Sequence, residues 1–266
     1  MHPIERLRYV ARAGTGHDPV VLVQESAAAL AGLDDEPGNL VLSARRLLSR
    51  HPASGPLWAL CGRLLTSADG RRAAYEFVGL LEDDPTSTVL AANLPDEARI
   101  TVIGWPDLVG DAMRRRGDVE VLVVDARGEG SPFARRLQSI DVEAEEVDVD
   151  GLGAACAYSD VIVLEATAVG GDGFYAIPGS LAAASVGRAT GVPVWLVAGE
   201  GRVLPDAVFQ SMRRMQPEVD PWGAADELVS LDLVDVVVRP QGVSDVATAI
   251  AEPDCPAAPE LLEIRS

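Results

Sequence analysis

Two hydrophobic periods divide the chain. Over residues 1 to about 84 the apolar positions recur at three- and four-residue intervals, the spacing of helices with one buried face. Leu7–Ala13 is short and amphipathic, and Asp18-Pro19 is a favourable cap and first-turn pair for a helix running to Leu30 and closed by Gly32. Pro37 opens the next, through Leu48, and His51–Gly55 breaks it. Leu57, Leu60, Leu64 and Leu65, with Trp58 and Cys61, form a broad core-type stripe, and Arg71–Leu81 supplies one more helix. Asp83-Asp84-Pro85 marks the change of period, with a further helical piece at Ser87–Asn93. From Arg99 onward, short β-branched runs alternate with helical stretches: Ile100–Ile103, Val119–Asp125, Val142–Val147, Val161–Leu164, Val194–Val197 and Val234–Val238. Such alternation predicts an α/β chain with a doubly wound parallel sheet. The expected organisation is a helical domain over 1–84, a Rossmann-like domain over 85–251, and a tail over 252–266 that is rich in Pro, Ala and acid.

One βαβ unit stands out. Between the strands Val161–Leu164 and Val194–Val197 lies a long glycine-rich connection, Gly170-Gly171-Asp172-Gly173, followed by a helix opening at Gly179-Ser180. In a parallel sheet this connection lies at the carboxyl edge, where ligands of open α/β sheets bind. Backbone N–H groups at the helix start, beside the Ser180 hydroxyl, suit phosphate; the competing reading is that Ser180 caps its helix and the glycines make a turn. Arg127, in the loop Asp125–Gly130 after a buried strand, either aims its planar fork at a phosphate across the sheet edge or pairs locally with Asp125 or Glu129. Gly151-Leu152-Gly153-Ala154-Ala155-Cys156 lacks the third small residue of a dinucleotide fingerprint and reads as a helix start.

Composition narrows the setting. Of 266 residues 41 are acidic and 22 basic, a formal charge of −19, and every basic residue is arginine. Hydrated carboxylates in such excess suit a salt-rich cytoplasm, so the chain reads as a cytosolic protein of a halophile, a matter of solubility rather than of partners. The apolar runs are too short to span a bilayer, and Met1–Val10 lacks the apolar core of an export signal. No basic patch beyond Arg114-Arg115-Arg116 offers nucleic acid a surface. Cys61, Cys156 and Cys255 are scattered and odd in number, fitting reduced thiols rather than disulfides or a zinc site. His2, His17 and His51 all precede residue 52, so histidine reaches the second half only if the first folds over it.

Val121–Leu137 (VLVVDARGEGSPFARRL) resembles the strand-and-ESRP…EGR segment of the translation initiation factor 2B alpha/beta/delta family, which includes ribose-1,5-bisphosphate and methylthioribose-1-phosphate isomerases. Gly55–Trp58, Gly191–Val194, Asp220–Trp222, Glu227–Val229 and Val237–Val243 resemble further motifs of that family in the same order. The resemblance implies a helical domain packed on a Rossmann-like one, with dimers or larger oligomers and a translation-factor partner among its expectations. It places the isomerases' catalytic aspartate at Ala166, their Asn-Lys pair at Ala176-Ile177 and their cysteine near Gly104. None of these side chains exchanges a proton, as ring opening and hydrogen transfer require. The expected protein is therefore noncatalytic, binding a phosphorylated sugar or nucleotide through Arg127, Glu129, Gly179 and Ser180, with Glu165 and Asp172 facing sugar hydroxyls and with no metal or cofactor. Two alternatives remain open at this point: an aldose–ketose isomerase using Glu165 or Asp172 as base, and an interaction protein with an empty pocket.

Overall fold

A computed structural model of the chain describes residues 19–33 and 37–262, so the expected helix at Leu7–Ala13 and the cap at Asp18 lie outside the described residues. The amphipathic stripes form α1 (Pro19–Leu30), α2 (Pro37–Arg50), α3 (Gly55–Thr66), α4 (Gly70–Glu82) and α5 (Thr86–Asn93). The Asp69 carboxylate accepts the Arg72 N–H at 2.9 Å, which fixes the start of α4. Trp58 and Cys61 sit in the core as expected, the indole N–H donating to the Pro52 carbonyl at 3.0 Å. Leu57, Leu60 and Trp58 of α3 pack with Val23 and Leu30 of α1, Leu47 of α2 and Phe77 of α4.

The second half begins β1 (Arg99–Ile103), α6 (Asp107–Met113), β2 (Glu120–Val124), α7 (Gly130–Gln138), β3 (Glu143–Val147), α8 (Leu152–Tyr158) and β4 (Val161–Glu165). It continues β5 (Ala168–Val169), β6 (Gly173–Ala176), α9 (Ser180–Thr190), β7 (Val194–Val197), α10 (Asp206–Met215), β8 (Glu227–Ser230), β9 (Val236–Arg239), β10 (Gly242–Ser244), α11 (Val246–Ile250) and α12 (Pro259–Leu262). The main sheet has seven strands in the order β10-β9-β7-β4-β1-β2-β3, parallel except for β10 against β9. Strand alternation covers both faces: Val121 and Val123 join one layer with Val109 and Phe133, while Leu122 and Val124 join the other with Leu152 and Ala183. The winding reverses between β1 and β4, and the crevice beyond their carboxyl ends is the expected ligand position.

Two features differ from the sequence expectation, the glycine-rich connection and the C-terminal segment. The glycine-rich connection is a β-hairpin, β5 against β6, extended by β8 into a separate three-stranded antiparallel sheet. Gly170 is required there by close packing, since a Cβ would stand 2.2 Å from Phe209 Cδ1. Strand β3 is the sheet edge, and its carboxylates face outward, where charge discourages pairing with another edge. The expected tail is packed over its described part: Asp254, Cys255, Ala258 and Leu261 are buried, the last three in one core with α3 and α10. Its apolar residues are few, yet Cys255, Ala258 and Leu261 are all used in packing, which composition alone does not reveal.

Around this segment lies a cluster of charges. Glu200, after β7, is 3.8 Å from Arg63 and is pushed above the ordinary carboxylate range, first by burial and then by the neighbouring Asp254 and Asp84 carboxylates, against the pull of Arg63 and Arg239. An acid whose pKa is raised in the folded state loses stability as pH rises through that value, so ionised Glu200 is a cost at neutral pH. Glu200→Gln is expected to gain roughly 0.5–1 kcal/mol at pH 7. That advantage should vanish below the unfolded glutamate pKa, as read by urea unfolding at two pH values.

Candidate functional site

Four loops meet at the reversal point of the sheet, and each delivers a helix N-terminus: α3 with Ser54 and Pro56, α6 with Pro106 and Asp107, α7 with Glu129, and α9 with Ser180. They wall a cavity of about 550 Å³ that also takes Arg50 and His51 from the end of α2, Thr167 and Tyr175 from the hairpin, Arg202 from the loop after β7, and the segment from Gln216 to Asp226. The N-terminal part does fold over the sheet edge, bringing His51 to the site.

Three of the four helix starts already hold an internal anion. The Asp125 carboxylate accepts from Gly130 N–H at 2.7 Å at α7. Glu227 accepts from Leu181 N–H at 2.7 Å at α9, and Glu165 accepts from Leu108 and Val109 N–H at 2.9 and 3.2 Å at α6. The start of α3 takes a backbone acceptor instead, the Gly55 N–H donating to the Thr167 carbonyl at 3.0 Å.

The sequence-predicted residues divide accordingly. Ser180 is buried at the first position of α9, and its hydroxyl donates to the Ile177 carbonyl at 2.7 Å; it does not cap the helix, whose N-cap is Gly179. Gly179 takes φ 107°, the left-handed conformation that turns the chain into α9, with its α-carbon packed toward Ile103. Glu165 lines the cavity, yet besides the two α6 amides it receives Arg202 Nη1 at 2.8 Å, which occupies three of about four acceptor positions. Asp172 does not reach the site: the hairpin carries it to an exposed tip, where it pairs with Arg213 at 3.1 Å. Arg127 and Glu129 both line the cavity, and Arg127 Nη2 donates to the Ala224 carbonyl at 2.5 Å instead of pairing with Asp125 or Glu129.

At the positions that the isomerase resemblance makes catalytic, the packing is closed. Gly104 takes φ 64°, and a Cβ there would stand 2.7 Å from Ile177 Cδ1. Ala166 is fully buried, its N–H bonded to the Val197 carbonyl at 2.9 Å. The thiols lie elsewhere: burial pushes Cys61 and Cys255 up to about 12 and Cys156 up to about 11, and none of them walls the cavity. Asp226 and Tyr175 face the cavity with proton affinities raised by burial, Asp226 partly offset by Arg127. Among the described residues no cluster of His, Cys, Asp or Glu could hold a metal ion, and no helix is long and apolar enough to cross a membrane.

Arg202, Trp105, Asp226, Tyr175, Arg50 and His51 were not singled out from sequence. The carboxyl-edge rule that flags Arg127 applies equally to Arg202 and Trp105, which follow β7 and β1. The others enter by tertiary folding and leave no local signal.

Comparison of the whole architecture with solved structures decides the fold. The crystal structure of translation initiation factor eIF-2B from Pyrococcus horikoshii OT3 matches with a TM-score of 0.75 over 93% of this chain and 98% of its own, at 15% identity. The chain has the initiation factor 2B fold. Two eIF2B structures from Chaetomium thermophilum agree at 14% identity: the beta subunit, with a TM-score of 0.70 over 91% of this chain and 86% of its own, and the tetrameric beta2-delta2 complex, with 0.72 over 93% and 92%. By sequence, no family model and no curated protein matches the chain. The eIF2B likeness is therefore carried by topology and packing, in the same helical-plus-Rossmann arrangement that the ordered motifs imply.

Proposed function

We propose that this chain is a noncatalytic initiation factor 2B-like protein that binds a phosphorylated sugar or nucleotide in the reversal-point cavity and acts as a regulatory or assembly subunit. The observation that carries the reading is a double one at a single place. Three arginines, Arg50, Arg127 and Arg202, reach the cavity, while Gly104, Ala166, Ala176 and Ile177 stand where proton-transferring groups are expected and pack against one another or the sheet. Arginine forks recognise phosphate oxygens, and the carboxylates on the same walls, Glu129 and Asp226, accept hydrogen bonds from hydroxyl or amino groups. The assembly role is supported by the fold shared with the eIF2B beta2-delta2 tetramer.

Thermal unfolding with ribose 5-phosphate or AMP tests the binding. A ligand held only by the folded state raises the midpoint, and Arg127→Ala should reduce the rise. No shift with either compound removes the binding reading. Ketose formed from ribose 1,5-bisphosphate, and lost in Glu165→Gln, makes the protein an isomerase instead. Light scattering should return a dimer or larger species, and a monomer at every concentration removes the assembly role.

A further inference from the structure

A groove of about 510 Å³ opens beside the first cavity, between α6 and α7. Its floor is apolar: Trp105 lies against Phe133 with ring centroids 5.4 Å apart, and Leu108, Leu137 and Ile140 continue the surface. Trp105 and Ile140 are left 36% and 40% exposed, so this concave apolar face is not covered by the described residues. Its rim is acidic, with Glu82, Asp84, Asp107, Asp111 and Glu200 set against Arg114, Arg136 and Arg202. Two of these arginines do little to offset the rest, because Arg202 is committed to Glu165 outside the groove at 2.8 Å and Arg114 lies 3.3 Å from Asp111 alone. The matching occupant is apolar along one stripe and cationic on its flanks.

The chain itself carries such a stretch, tethered to the groove. Pro19 and Val20, the first two described residues, both line the groove, so residues 1–18 join the protein at its wall. In a chain of formal charge −19, these eighteen residues hold three arginines, Arg6, Arg8 and Arg12, against two acids, Glu5 and Asp18. At helical spacing Ile4, Leu7, Val10 and Ala11 fall on one stripe, with Arg6 on one flank and Arg8 and Arg12 on the other. That pattern is the complement of an apolar floor between acidic rims. Only residues 14–18 separate the stripe from Pro19, a reach of at most about 18 Å. So short a link makes docking intramolecular, at an effective concentration on the order of millimolar, and a modest contact is then enough to fill the groove.

We propose that residues 4–13 of this chain dock in the groove between α6 and α7 as an intramolecular strap, with Ile4, Leu7 and Val10 on the floor made by Trp105 and Phe133 and with Arg6, Arg8 and Arg12 against the acidic rim. The strap covers the exposed side of Trp105, and it does so whatever the neighbouring cavity binds.

Photo-crosslinking in the full chain tests it. With Leu7 replaced by p-benzoylphenylalanine, illumination and peptide mapping should join the segment to residues 105–114 or 133–140. An equal mixture of isotopically light and heavy chains should give cross-links within one mass class only. Cross-links of mixed mass put the segment on a second copy and overturn the intramolecular strap, and cross-links absent or scattered over other surfaces overturn the docking itself. Asp111→Arg, at an exposed side chain that the fold does not depend on, should lower the yield by about threefold or more, as should Arg8→Glu with Arg12→Glu, the scale of one or two surface charge pairs reversed. Yields unchanged in both variants overturn the match of charges on which the proposal stands. Hydrogen exchange of the unsubstituted chain gives a check free of any variant: amides of residues 4–13 should exchange at least about tenfold more slowly than an unprotected peptide, and exchange at the unprotected rate overturns the strap.

Discussion

Alanine at Glu165 is expected to destabilise the protein by about 3–5 kcal/mol, the cost of leaving a buried charge without its partner. For a chain of this size that is a fall in thermal midpoint of roughly 6–20 °C. The Glu165 and Arg202 side chains are 11% and 9% exposed and 2.8 Å apart, and the other carboxylate oxygen satisfies two first-turn amides of α6. Truncation leaves the guanidinium with the Ala166 carbonyl alone and strands both N–H groups at once. Glu165→Gln, which keeps an acceptor for the amides, should lose less. Differential scanning calorimetry of the two variants separates this role from a catalytic one: a proton-transferring carboxylate would lose turnover with its midpoint unchanged, whereas a large drop in midpoint marks Glu165 as the clamp that sets Arg202 and α6.

The same residue shows what was legible in the sequence. The parallel strands were readable because both faces are buried, so that Val121–Val124 and Val161–Leu164 appear as unbroken apolar runs. Helices α1 to α4 were readable from one-sided stripes, and the motif order carried the domain arrangement. The site was legible only as far as it sits on loops at the carboxyl edge, which gave Arg127, Glu129 and the start of α9. Proximity along the chain then misled. Asp172 lies seven residues from Gly179, yet the pairing of Val169 with Phe174 turns it outward, and that hairpin depends on β8, more than fifty residues away. Glu227, which fills the helix start expected to take phosphate, is 46 residues from Leu181. In a chain so rich in acid, many carboxylates are available to occupy helix N-termini, and which ones do so is decided by tertiary contacts. In the proposed function phosphate recognition therefore falls to arginines, the one kind of basic side chain with a permanent charge that the chain possesses.

The C-terminal segment should be as critical to stability as the site itself. Asp254 and Arg239 are 2.5 Å apart with side chains 3% and 8% exposed, Asp254 Oδ2 also accepts from Val203 N–H at 2.8 Å, and the Asp254 carbonyl accepts from Arg63. One residue therefore ties the segment to β9, to the loop after β7 and to α3. Removing the carboxylate in Asp254→Ala leaves Arg239 with the Ala249 carbonyl alone, its Nε being unpartnered already. The expected loss is again about 3–5 kcal/mol. Burial outweighs the attraction of Arg239 and holds the Asp254 carboxyl above its ordinary range. With the folded pKa above the unfolded one, the cost of the ionised form is present above the folded value and is relieved as pH falls through it, so acid should not release the segment by titrating this group. The pair is thus expensive to break yet contributes little as a pair. Asp254→Ala combined with Arg239→Met should recover most of the loss, because no buried charge is then left alone. Chemical denaturation of the two single variants and the double variant measures the coupling directly. If the two losses simply add, the pair is not the link that fastens the segment, and the apolar contacts of Cys255, Ala258 and Leu261 hold it instead.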